Sequence, residues 1–137
     1  MATQFTSETP TGARTSPRRA LVSLAVDVVA VLLFVVIGRR SHDEGGNPIA
    51  GALSVAAPFL IALGVGWLAS RGWRSPTSLL TGTIIWACTV VAGLLLRRFA
   101  FDRSTAFSFM IVTTITLGVF LLGWRAVAAR FSTTPEQ

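Results

Sequence analysis

"ALVSLAVDVVAVLLFVVIG", residues 20–38, is nineteen residues long and is broken only by Asp27. An apolar run of about 18 residues or more is the length that crosses a bilayer as a helix. Three further stretches, 45–70, 75–96 and 104–124, carry no charge at all and each exceeds that length. The 137 residues leave room for one domain, and 52% hydrophobic residues with only 13% charged lies outside the range of a soluble fold of this size. The chain therefore reads as an all-α membrane protein, four transmembrane helices in a compact antiparallel bundle.

Outward from the first run, the helices fall at about 19–38, 48–70, 76–98 and 104–128, giving a transmembrane domain over 19–130. Residues 1–18 and 131–137 are rich in Thr, Ser and Pro and read as disordered tails. The twin arginine of "SPRRALVSL" (16–24) looks like an export signal. The run behind it is longer than the ~7–15 residues of a signal core and lacks an A-x-A-like site, so it is expected to stay in the protein. Asn47-Pro48 and Ser75-Pro76 each supply a side-chain oxygen for orphan amides, followed by a proline where a first turn tolerates one. Ser104 can serve the fourth helix in the same way, and Pro58 should kink the second.

Short loops make consecutive helices antiparallel neighbours. Ala62 with Gly66 and Thr89 with Gly93 are small-xxx-small pairs that let backbones approach; such faces also suit a homodimer or a partner in a membrane complex. Paired arginines Arg39-Arg40 and Arg97-Arg98 recur at an offset of 58, and Gly66-Trp67 and Gly123-Trp124 at 57. Two parallel-repeated hairpins would produce that pattern, as would coincident interfacial anchors.

Charge sets orientation. Arg14, Arg18, Arg19, Arg71, Arg74, Arg125 and Arg130 fall on the N-terminal side, seven against the five of Arg39, Arg40, Arg97, Arg98 and Arg103. A multi-pass protein of the cytoplasmic membrane with both termini in the cytoplasm is the expectation. Trp67, Trp73 and Trp124 fall on the same side, as an interfacial belt. All twelve basic residues are arginine, which codon usage in a GC-rich genome explains as readily as a need for bidentate contacts. The arginines sit at the ends of apolar runs, not on one soluble face, which points to lipid and away from nucleic acid. The lone Cys88 excludes a disulfide framework.

Asp27 lies about two turns into the first helix, where an unpaired carboxylate costs up to ~3 kcal/mol on insertion scales. Arg71, Arg74 and Arg125 lie at the same end, and Arg125 or Arg71 could snorkel back toward it. Ser23, four residues earlier, extends a polar stripe on the same face. Two readings follow: a buried pair that fixes helix packing, or the coupling carboxylate of a small multidrug-resistance-like proton-coupled transporter.

"GRRSHDEGGNP", residues 38–48, holds the densest polar patch. Arg39–Asp43 and Arg40–Glu44 are spaced i,i+4, but arginine before acid is the weaker order, and acids oppose the dipole at a helix C-terminus. His42, Asp43 and Glu44 are adjacent and would point ~100° apart on a helix, with no second histidine, so neither a metal site nor catalysis is expected. No nucleophile elbow, phosphate-binding glycine loop or cofactor motif occurs. Arg39, Arg40, Arg97, Arg98 and Arg103, with His42, Asp43 and Glu44 nearby, form a candidate surface for anionic lipid headgroups.

The segments "DVVAVLLFVVIGRRSHDEGG" (27–46), "PFLIALGVGW" (58–67) and "FLLGWRAVAAR" (120–130) resemble a family of small prokaryotic four-helix membrane proteins, domain of unknown function 3054. The resemblance covers roughly 21–130, and its most specific part is "GRRSHDEG" with an aspartate twelve residues before Arg39. It implies fold class and membrane location. It implies no reaction, ligand or catalytic residue.

Overall fold

A computed structural model describes residues 16–40, 46–100 and 106–132, with the side chains of Arg40 and Ser132 outside that description. It contains four helices: α1 Pro17–Arg40, α2 Pro48–Ser70, α3 Leu79–Phe99 and α4 Phe107–Ser132. All four are long and apolar enough to cross a membrane.

Local chemistry sets the ends. Pro17 opens α1 where a missing amide loses nothing, and the Ser16 carbonyl accepts from the Arg19 and Ala20 amides. At α2 the Asn47 Oδ1 accepts from the amides of Ile49 at 3.0 Å and Ala50 at 3.4 Å, satisfying two of the orphan donors of a first turn. The helix continues through Pro58 to Ser70. Its end is a Schellman turn: the Arg71 amide donates to the Leu68 carbonyl and the Gly72 amide to that of Trp67. Arg71 takes the left-handed conformation, φ 50° and ψ 50°, which costs a residue with a Cβ about 1–2 kcal/mol.

The start of α3 corrects the sequence reading. Ser75-Pro76 does not cap it; Ser78 is the N-cap residue and the helix begins at Leu79. The Ser75 hydroxyl lies 3.1 Å from that of Thr81 instead, and Pro76 is buried with its carbonyl turned into the bundle, where an arginine takes it. The cap assigned to Ser104 lies outside the described residues. So do most of both tails, although α1 begins at Pro17 and α4 reaches Ser132.

The helices pack in a ring, each against its two neighbours, α1–α2–α3–α4 and back to α1, with α2–α3 the longest seam. Small residues make that seam close. A Cβ on Gly66 would sit 3.1 Å from the Ile85 Cα, and one on Gly93 would overlap the Phe59 ring at 2.5 Å. Ala62 and Thr89 are fully buried beside them, so both small-xxx-small pairs are used within the bundle. In apolar surroundings the Thr83, Thr89 and Thr114 hydroxyls donate back to carbonyls four residues earlier.

The core runs along the axis. Val31, Phe34, Phe59, Leu63, Ile85, Leu117 and Leu121 are almost wholly buried. Phe34, Phe59 and Phe109 join α1, α2 and α4 with ring centroids 5.5–6.4 Å apart, within the range of favourable aromatic pairs. Toward the other end the core turns polar.

Candidate functional site

On α1 the buried face reads Ser23, Asp27, Ala30, Val31, Phe34, Val35, so helical periodicity carries Asp27 to the interior. On α4 it reads Thr113, Leu117, Leu121, Arg125, in steps of four. Antiparallel packing of α1 and α4 brings Asp27 and Arg125 to the same depth. Both are fully buried.

Their contact is bidentate. Arg125 Nη1 donates to Asp27 Oδ1 at 2.8 Å and Nη2 to Oδ2 at 2.7 Å, the fork-on-fork geometry that a planar guanidinium allows. Two indoles complete the carboxylate's shell: Trp124 Nε1 donates to Oδ1 at 2.8 Å and Trp67 Nε1 to Oδ2 at 2.9 Å. Each oxygen therefore accepts two hydrogen bonds. Two more guanidinium N–H groups are taken, with Nε donating to the Pro76 carbonyl and Nη1 to that of Leu121, both at 2.9 Å. Its Cζ lies 4.5 Å from the Trp124 ring centroid.

This clasp ties every part of the ring: Asp27 from α1, Trp67 from α2, Pro76 before α3, and Trp124 and Arg125 from α4. Two glycines make room for it. A Cβ on Gly82 would lie 2.5 Å from Arg125 Cδ, and one on Gly72 would strike the Trp67 ring at 2.5 Å. Burying a charge pair is tolerable only when its remaining polar atoms are satisfied, and here the neighbours supply the partners.

Of the cations read as partners for Asp27, the structure selects Arg125; Arg71 is exposed at the end of α2. The interfacial belt needs correcting. Trp67 and Trp124 turn inward because a buried indole N–H seeks an acceptor and Asp27 offers one, which leaves Trp73, 47% exposed, at the surface. The sequence reading missed both indoles and the Pro76 carbonyl. Arg125 had a signal, since it continues the four-residue spacing of Leu117 and Leu121; the tryptophans had none that separates an inward from an interfacial indole.

The other candidates lie at the opposite end. Arg39, in the last turn of α1, lays its guanidinium against Gly51 of α2, where any side chain would overlap it. Arg97, in the last turn of α3, holds its Cζ 4.4 Å above the Phe109 ring of α4. Arg98 is exposed beside it. The bundle thus gathers Arg39, Arg97 and Arg98 at one end and keeps them apart from Asp27. Arg40 ends α1 there, its side chain outside the described residues, as are His42, Asp43 and Glu44 with their i,i+4 pairs. Among the described residues no group of three His, Cys, Asp or Glu is placed to hold a metal.

The chain belongs to the family described as "Protein of unknown function (DUF3054)", whose profile matches residues 24–128. That span includes both charges of the clasp and the arginines at the far end. No curated protein and no solved structure matches the chain.

Proposed function

We propose that this is a non-catalytic integral protein of the cytoplasmic membrane that meets anionic lipid headgroups with the end of the bundle bearing Arg39, Arg97 and Arg98. The observation that carries the reading is the placement of these cations where two apolar spans end, one against Gly51 and one over Phe109. Each arginine near an anionic surface contributes about 1 kcal/mol. The pairing of Asp27 supports a structural role for the other end. A proton-coupling carboxylate needs an open approach for its proton or substrate, whereas both Asp27 oxygens are filled by Trp67, Trp124 and Arg125.

Retention of phosphatidylglycerol by the full chain in nanodiscs tests the lipid reading. Replacing Arg39, Arg97 and Arg98 by Gln should weaken retention by about fivefold per residue, with the largest losses at low salt. Unchanged retention in the triple variant would contradict it.

The same reading places both termini in the cytoplasm. Arg125 is withdrawn into the bundle, so the bias that orients the chain narrows to six arginines against five. With Cys88 replaced by Ser and a cysteine placed at Ser41, a membrane-impermeant maleimide should label intact cells. Labelling only after lysis would invert the orientation.

A further inference from the structure

The turn after α2 sets packing against backbone geometry. In a Schellman turn the left-handed position is the one that glycine fills without strain, and here it is residue 71, an arginine at φ 50°. The glycine comes one residue later, at 72, where it is buried and its missing Cβ leaves space for the Trp67 ring. Gly72 is therefore fixed by the clasp, while Arg71 accepts a conformation that a second glycine would relieve. Its exposed side chain is no part of the core.

Attraction to the dipole of α2 does not explain that choice. A cation in the helix's last turn would feel the same field without strain, and that turn carries no basic residue. Backbone strain retained at an exposed cation points instead to something the cation touches.

The surroundings name its chemistry. The Arg74 amide donates to the Arg71 carbonyl at 2.9 Å, closing a turn that sets a second arginine next to Trp73, 47% exposed. The turn follows directly on the apolar span that ends at Ser70, at headgroup depth, where tryptophan and arginine both favour the interface. Arg18 and Arg19 open α1 at the same end. We propose that Arg71, with Trp73 and Arg74, forms a second site for the phosphate of an anionic phospholipid, in the leaflet opposite Arg39, Arg97 and Arg98.

The test sets stability against binding. The full chain and its R71G and R71K variants are compared for thermal unfolding in detergent and for phosphatidylglycerol retention in nanodiscs. R71G should unfold at a higher temperature yet hold the lipid about fivefold more weakly, whereas R71K should match the parent in unfolding and retain most of the lipid. Neither change depends on the arginines at the far end, so their substitution separates this site from the one proposed above. Unchanged retention in R71G would overturn the proposal, as would a lower unfolding temperature, because the strain would then be absent. Inorganic phosphate bound as tightly as the lipid would overturn the assignment to a headgroup.

Discussion

At the scale of residues, what distinguishes this bundle is a carboxylate with no vacant face. Each indole that reaches Asp27 makes a hydrogen bond to a charged group, worth about 1.5–3 kcal/mol. W67F and W124F should each lower unfolding free energy by that amount in a detergent titration. R125K should cost more than either indole, because an ammonium cannot reach both carboxylate oxygens and the Pro76 and Leu121 carbonyls together. Thr113 is the converse case. Its hydroxyl is buried without a hydrogen-bond partner among the described residues, and T113V, similar in shape, should raise stability by about 1–2 kcal/mol. Much of this scale was legible in the sequence, because a charge in an apolar run and a serine four residues before it mark one face of a helix. The indoles were not, since a tryptophan near a span end suits an interface as well as a buried acceptor.

At the scale of elements, the glycines divide by what faces them. Gly66 and Gly93 lie in the α2–α3 seam against the Ile85 backbone and the Phe59 ring, while Gly64 and Gly123 face open space. G66A and G93A should each destabilise the bundle by about 1–3 kcal/mol through overpacking. G64A and G123A should be neutral or mildly stabilising, since alanine is the better helix former. Thermal unfolding of the four variants checks the division. The small-xxx-small spacing was readable because it needs only residue size at a helical period. The start of α3 was not, because Pro76 answers to Arg125, 49 positions away, and a local cap signal carries no information about a distant donor. The two ends of the proposed repeat also differ in kind. Arg39 lies over Gly51 and Arg97 over Phe109, each twelve residues on and mutually offset by 58, so the contact is repeated while the surface beneath it changes from glycine to phenylalanine.

At the scale of the whole molecule, the ring is held in two ways. Toward one end three phenylalanines pack across α1, α2 and α4; toward the other a charge pair draws in all four segments of the chain. Membrane helices lack a hydrophobic force between them, so directional contacts fix which helices are neighbours and at what depth. Pairing Asp27 with Arg125 sets the register of α1 against α4, the two helices that no short loop connects. A buried pair serves as a clasp only if losing one partner is worse than losing both: a single uncompensated charge costs about 3–5 kcal/mol, whereas two apolar replacements of similar volume are often tolerated.

A double-mutant cycle on D27L, R125L and D27L/R125L, read as unfolding free energy in lipid nanodiscs, tests that claim most directly. Each single variant should lose about 3–5 kcal/mol, and the double variant should recover most of it. Losses that simply add, or a D27L variant as stable as the parent, would contradict it.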